Sequence, residues 1–268
     1  MDRIEPEPLS WLHRTRDLFY MGRRFECPFC RGRFRRLRPG GKNNPTNQGL
    51  RIVGAGRRRN RKCPRCRSTD RERLVLLYLQ WGTDVLNDPD ARKRKLLHVA
   101  PERRLGRLIE RETHLDYLSV DLDASCAMVA ADVTNLQYPD DHFDTIICNH
   151  VLEHVANDRK AMAEIHRVLR PGGLAILQVP VSIALDAIHE DAAIVTPESR
   201  ESAFGQRDHV RIYTPGGYRF RLEQVGFRVE EFDWTRDEHF GGPTNRYALN
   251  EEERVYAVRK SRETESRV

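Results

Sequence analysis

Four of the six cysteines stand in two matching frames, Cys27-Pro28-Phe29-Cys30 and Cys63-Pro64-Arg65-Cys66, with 32 residues between them. A Cys-x-x-Cys turn presents both sulfurs on one side of a tight loop. Two such turns complete the four ligands of a closed tetrahedral thiolate site. Cys27, Cys30, Cys63 and Cys66 are therefore expected to hold a structural zinc. With no open coordination position the metal would fold its module rather than perform chemistry. A redox-active dithiol is the competing reading. Cys126 and Cys148 lie in apolar surroundings and read as small core residues.

A second group of chemistry-bearing residues is carboxylate and imidazole. Asp121 and Asp132 each close a short apolar run. On a doubly wound sheet a nucleotide-like ligand lies at the carboxyl ends of the strands, with a ribose-binding acid about 20 residues past the first turn. Asp121 falls at that interval, although each Asp could equally form a local turn. His150 follows a later apolar run and should face the same end of the sheet, with His154 four residues on. Downstream, Phe204-Gly205-Gln206-Arg207-Asp208-His209-Val210-Arg211-Ile212-Tyr213 places Asp208 beside His209, a base with its orienter. Arg211 could grip an anionic substrate, and Arg211 and Tyr213 alternate with Val210 and Ile212 as on a half-buried strand. A second metal held by His150, His209 and an acid such as Glu190 is a further arrangement.

These residues need a scaffold. From Lys95 onward strand-like and helix-like runs alternate: KLLHVAP, RRLGRLIERE, DYLSVDLD, MVAADV, FDTIICNHV, DRKAMAEIHRVLR, then PGG and LAILQVP. FRVEEFDW and RVYAVRK add two late strands, separated by a Gly- and Pro-containing loop. Alternation of this kind implies an α/β fold with a doubly wound, mostly parallel, seven-stranded Rossmann-like sheet. Upstream, Thr69 with Glu72 has capping-box spacing. The helix it opens carries Leu74, Leu77, Tyr78 and Trp81 on one face, which should pack on a larger body. Residues 39–60, rich in Gly, Asn and Pro, read as loop. The expected organisation is a zinc-binding module with a basic loop over residues 1–68 and a sheet domain over 69–268.

The stretch Leu96–Pro180 resembles the methyltransferase-type-11 group of class I enzymes that use S-adenosylmethionine. Two blocks carry the likeness. One is Phe143-Asp144-Thr145-Ile146-Ile147-Cys148-Asn149-His150-Val151-Leu152-Glu153-His154-Val155. The other is His166-Arg167-Val168-Leu169-Arg170-Pro171-Gly172-Gly173 with the strand after it. The resemblance implies that Asp121 and Leu122 hold ribose and adenine, Asp132 and Val133 the adenine edge, and Asn149 the cofactor near its sulfonium. The first motif departs from the family. It reads Leu97-His98-Val99-Ala100-Pro101-Glu102, so His98 replaces the usual acid and the turn glycines are gone. Ala100 and Pro101 must then build a different turn, and Glu102 is placed to supply the missing carboxylate to the methionine amino group. The paired CPxC frames, the H-x-APE first motif and the FGQxDHVRxY segment together resemble a methyltransferase subgroup. The absence of GxGxxG argues against a nicotinamide enzyme.

Charge bears on the partner. Between Arg31 and Lys62 there are twelve Lys or Arg and no Asp or Glu, which leaves 34 basic against 40 acidic residues elsewhere. Such a block suits RNA or another polyanion, or is a solvated loop. Only Phe25, Phe29 and Phe34 are available for base stacking, so the acceptor is expected to be a small metabolite or glycan precursor, with RNA bound through residues 31–62 as the alternative. A non-catalytic zinc-ribbon protein with a degenerate methyltransferase domain is the remaining class. The charged N-terminus has no apolar leader core and no run is long enough to span a bilayer, so a cytoplasmic protein without membrane contact is expected.

Overall fold

The structure is a computed structural model that describes residues 19–87, 93–242 and 244–262. The N-terminal stretch read for a leader, residues 1–18, lies outside the described residues. Among those described, no helix is long and apolar enough to cross a membrane. Contacts divide the chain into two units. One comprises residues up to Asn43, Gly54–Asn87 and Asp233–Arg254; the other comprises Asn44–Val53, Asp88–Phe232 and the residues from Val255.

The first unit holds the cysteine frames. Strand β1 (Met21–Glu26) pairs antiparallel with β2 (Arg33–Phe34), and β3 (Arg38–Gly40) pairs antiparallel with β4 (Arg58–Lys62). Residues 39–60 are thus not all loop. They contain β3, the start of β4 and a short helix, α1 (Pro45–Gly49), which belongs to the other unit. The local signal for α1 was present: Asn44 accepts from the backbone N–H of Thr46 and Asn47, and Pro45 occupies the first helical position.

Helix α2 (Asp70–Leu77) starts with the anticipated capping box, Thr69 and Glu72 exchanging side-chain and backbone bonds. Its residues Leu74, Val75, Leu76 and Leu77 are buried, and the helix belongs to the cysteine unit. Trp81 leaves the apolar face: it is 53% exposed and stacks on His239 at 4.9 Å. The segment 233–254, expected only as a loop between two strands, is a structural part of this unit. Arg73 of α2, fully buried, donates to the carbonyls of Ser68, Tyr247 and Ala248 at 2.8–3.0 Å and to those of Asn60 and Arg61 at 3.2 Å. One guanidinium therefore satisfies five buried or half-buried acceptors, which no apolar residue could do.

The second unit is the sheet. Its strands are β5 (Arg94–Val99), β6 (Leu115–Asp121), β7 (Val129–Ala130), β8 (Phe143–Cys148), β9 (Leu169–Ile176), β12 (Phe227–Phe232) and β13 (Val255–Lys260). A separate two-stranded pair, β10 (His189–Glu190) and β11 (Arg211–Ile212), lies between β9 and β12 in sequence. The order across the sheet is β12-β13-β9-β8-β5-β6-β7, and β13 alone runs antiparallel to its neighbours. The expected seven-stranded, mostly parallel, Rossmann-like sheet is therefore present.

Helices α3 (Arg103–Ile109), α4 (Asp158–Val168), α5 (Pro197–Phe204) and α6 (Pro215–Val225) complete the unit. Helix α4 buries Ala161, Met162, Ile165 and Val168, one stripe at helical spacing, in a core shared with Leu97, Val99, Val120, Ile146 and Ala175. Because β5 has β6 on one side and β8 on the other, the chain order reverses there, and a crevice opens beyond the carboxyl ends.

Candidate functional site

Register assembles this crevice. Val99 pairs with Val120 on one side and with Cys148 on the other. The next residues, Ala100, Asp121 and Asn149, consequently end three adjacent strands in one row. Asp121 in turn pairs with Ala130 of β7, which brings residues 131–134 alongside. The resulting cavity, about 640 Å³, is lined among others by Ala100, Asp121, Leu122, Asp132, Val133, His150 and His154. Cavities of this size hold a drug-sized ligand.

Asp121 and Asp132 satisfy both readings given to them. Each uses Oδ1 in its own turn, accepting from the backbone N–H of Asp123 (2.9 Å) and of Thr134 (2.8 Å). Each Oδ2 has no protein partner among the described residues. Leu122 is 79% exposed at the cavity wall, whereas Val133 is buried.

The altered first motif forms a different turn, as its residues required. Ala100 sits at φ 47°, the left-handed region in which a side chain costs about 1–2 kcal/mol. Its N–H donates to Val120 O at 2.8 Å. His98 is fully buried; Nε2 meets Glu102 Oε2 at 2.7 Å and Nδ1 meets the Tyr117 hydroxyl at 3.2 Å. Glu102 Oε1 accepts from Asn149 Nδ2 at 3.0 Å. Burial would raise the Glu102 carboxyl, but the bonds from His98 and Asn149 outweigh it and hold the group below its ordinary range. Gly106 of α3 has a use the sequence did not reveal: a Cβ there would stand 2.7 Å from the Tyr117 hydroxyl that contacts His98. His98, Pro101, Glu102 and Asn149 do not line the cavity; Glu102 links His98 to Asn149 instead.

Beyond β8 the chain does not enter a helix. His150 takes φ 57°, with its N–H on Gln178 O at 2.7 Å, and residues 152–154 form a turn. His150 and His154 both face the cavity. Between them Glu153 is buried at 1% exposure, with Oε1 3.4 Å from His150 Nδ1 and 4.0 Å from His154 Nε2. Burial would raise its carboxyl, yet the three surrounding imidazoles, His150 first, hold it below the ordinary value.

The later segment is docked against this turn. Val210 N–H donates to Glu153 O at 2.9 Å, and the His209 ring lies edge-on to His154, centroids 4.7 Å apart. Burial pushes the His209 imidazole down to about 4. Asp208 does not orient His209. Its carbonyl and carboxylate lie 3.2 and 3.3 Å from His154 Nδ1. Arg211 is buried and clamps the turn, donating to the carbonyls of Leu152, Val155 and Ala156, so it does not grip a substrate. Arg211 and Tyr213 are as buried as Ile212, so the half-buried alternation expected there is absent. Glu190 is engaged by Arg221 and Arg211 and does not approach the histidines as a ligand. Glu153, a residue the sequence reading did not single out, is the acid that lies among them; its two flanking histidines, at three- and one-residue spacing, were the signal.

The four frame cysteines converge. Their sulfurs all lie within 4.8 Å of one another, with Cys27–Cys66 at 3.5 Å and Cys30–Cys63 at 3.7 Å. Sulfurs about 2.3 Å from a tetrahedral zinc are roughly 3.8 Å apart. The two frames fold alike. Arg31 N–H bonds to Cys27 O and Arg67 N–H to Cys63 O, each Arg in the left-handed region, at φ 52° and 66°. Burial, then the neighbouring thiols, pushes the Cys63 thiol well above its ordinary value, and the four sulfurs together could hold a metal ion. Cys148 is buried as expected; Cys126 is exposed and is not a core residue.

Residues 105–177 match the methyltransferase domain family. Among curated proteins no sequence matches the chain. Several solved structures are similar in fold. An S-adenosylmethionine-dependent methyltransferase from Mesorhizobium loti has 17% identity and a TM-score of 0.44, covering 65% of this chain and 94% of that one. The YcgJ protein of Bacillus subtilis has 17% identity and a TM-score of 0.39, with 52% of this chain aligned to 64% of YcgJ. The CurJ carbon methyltransferase has 14% identity and a TM-score of 0.45, with 71% and 53% coverage.

Proposed function

We propose that this chain, which carries a methyltransferase domain over residues 105–177, is a class I S-adenosylmethionine-dependent enzyme. It methylates an oxygen or nitrogen nucleophile of a small metabolite or glycan precursor. The observation that carries the reading is the cavity at the switch point, into which Asp121 and Asp132 bring one unpartnered carboxylate oxygen each.

The residues present fit the cofactor. Asp121 would accept from the ribose hydroxyls and Asp132 from the adenine amino edge, with Leu122 and Val133 against the base. The strand-end turn at Ala100 and Pro101 would approach the methionine portion, with Glu102, held ionised between His98 and Asn149, behind it. When bound, S-adenosylmethionine supplies a methyl group on a sulfonium, open to in-line attack. The chain's part is to align the nucleophile and take its proton. His150 is the base at the cavity wall, and Asp208 positions His154. His209 acts from behind His154 rather than as a free base. The cysteine frames hold a structural zinc in the unit that includes Gly54–Asn87 and Asp233–Arg254, the sheet unit is the catalytic domain, and the setting is cytoplasmic.

Asp121→Ala is expected to weaken S-adenosylmethionine binding by about 1.5–3 kcal/mol, as for a lost hydrogen bond to a charged group. Calorimetry reads this directly. Binding unchanged by the substitution would remove the assigned ribose contact. Cofactor binding without methyl turnover on any acceptor would favour the non-catalytic class.

RNA is the second reading, favoured by the exposure of Arg31, Arg57, Arg59 and Lys62. Not all of the basic segment is available for it. Arg58 and Arg61 pair with the buried Asp70 at 2.6 and 3.8 Å, so removing them would damage the fold. Changing Arg31, Arg57, Arg59 and Lys62 to Gln spares those pairs. If they contact single-stranded RNA, the salt dependence of binding should become shallower by about 2–3 log units per log salt. Negligible RNA affinity in both forms, with methyl transfer to a small acceptor intact, is the outcome the leading reading expects.

A further inference from the structure

The geometry points to a second metal site, a divalent transition-ion centre formed by Glu153, His154 and His209 at the edge of the cavity. One ligand atom from each of the three lies within 4.8 Å of the others. The inference deepens the proposed methyltransferase reading by giving the acceptor a place to bind.

Three independent features converge on these side chains. Glu153 is a buried carboxylate, and among the described residues no Lys or Arg pairs with it; its Oε2 has no hydrogen-bond partner. A buried anion is ordinarily paired or metal-bound. His209 is 3% exposed and its Nδ1 also lacks a partner. His154 has the orientation of a metal ligand: Nδ1 is engaged by the Asp208 carbonyl at 3.2 Å and carboxylate at 3.3 Å, which leaves Nε2 directed towards Glu153. Ligating imidazoles characteristically donate their other nitrogen to such an oxygen.

The surroundings are built to hold this arrangement. Arg211 fixes the carbonyls of Leu152, Val155 and Ala156, and Val210 N–H is bonded to Glu153 O, so the turn and the segment carrying His209 are tied on both sides of the cluster. Ligand atoms about 2.1 Å from a common ion are roughly 3–4.2 Å apart, and His154 Nε2 already stands 4.0 Å from Glu153 Oε1.

Two imidazoles and one carboxylate select a transition ion over magnesium or calcium, which prefer oxygen alone. Three protein ligands also leave coordination positions open, unlike the four-thiolate site. His154, one of the three ligands, lines the cavity together with His150, so an open position on that side would take a hydroxyl oxygen of the acceptor. A ligated hydroxyl gives up its proton more readily. This favours an oxygen nucleophile, with His150 beside it to receive the proton.

The test is zinc content after dialysis of the full chain, read as a difference so that metal on the cysteines cancels. Wild type should retain one more equivalent than His209→Ala and than Glu153→Gln. The Glu153→Gln variant keeps the shape of the side chain, and thermal melts establish that both variants are folded. Wild type with the same zinc content as folded variants overturns the proposal. Calorimetry with S-adenosylmethionine on the same wild-type sample separates the two readings. An extra zinc without cofactor binding sustains the metal site and removes the methyltransferase, whereas cofactor binding without the extra zinc does the reverse.

Discussion

Cys27→Ser is expected to release one equivalent of zinc and to unfold residues 19–43, 54–87 and 233–254 together, while residues 94–232 remain protected. Structural zinc in a four-ligand site contributes on the order of 10–16 kcal/mol to folding, more than a small unit of short strands supplies for itself. The reason the loss spreads is visible in the contacts. The frame containing Cys63 continues into α2, and Arg73 of α2 pins both Ser68 and the 247–248 carbonyls. Ser68 itself lies 3.3 Å from the Cys27 sulfur and 3.2 Å from that of Cys66. Metal analysis and hydrogen exchange on the variant read the two halves of the expectation separately. Cys126→Ser, at an exposed cysteine outside the frames, serves as the control and should change neither. Unaltered zinc content in Cys27→Ser would refute the ligand assignment.

Arg211→Met should destabilise the sheet unit by about 3–5 kcal/mol, the cost of breaking a buried pair from one side. The methionine can fill the volume but donates nothing. The carbonyls of Leu152, Val155 and Ala156 would each lose the guanidinium, Leu152 O keeping the Tyr213 hydroxyl, and among the described residues Arg221 would be the cation left to Asp158 and Glu190. Denaturant unfolding at neutral pH measures the loss, and a change below about 1 kcal/mol would show that the clamp is not needed. The same network sets an acid dependence. Hydrogen bonds from Arg221, then Arg211, hold the Glu190 carboxyl down to about 2, against an ordinary value of 4.5 and against its partial burial. A depressed pKa stabilises the fold above the unfolded value and ceases to do so as pH falls through the folded one. Wild type should therefore lose this contribution between about pH 4.5 and 2. Glu190→Gln should lose less stability over that interval. Glu190 is 40% exposed, so solvent screens the effect and it should be smaller than that of Arg211→Met.

Much of this architecture was legible in the residues alone. Strand–helix alternation is a local, periodic signal, and it specified the parallel sheet and the strand end at Asp121, whereas the next strand stops at Ala130, two residues before Asp132. The cysteine frames were equally readable because each Cys-Pro-x-Cys turn is complete within a few residues, and the Thr69–Glu72 cap is local in the same way. Tertiary structure decided what local pattern could not. Nothing near residue 73 in sequence announces that α2 and residues 233–254 join the cysteine unit; that depends on carbonyls some 174 residues away finding a donor in Arg73. Adjacency also misled: Asp208 and His209 are neighbours in the chain, yet the backbone sends the carboxylate to His154 and buries the other ring. Arg211, with the look of a substrate ligand, is consumed by carbonyls that a non-helical turn leaves exposed. Glu153 gained its importance in the same way, because only the docking of residues 208–213 onto that turn surrounds a buried carboxylate with three imidazoles. Periodicity and turn chemistry are written along the chain, whereas the partner of a buried polar group is settled by whichever distant segment can satisfy it.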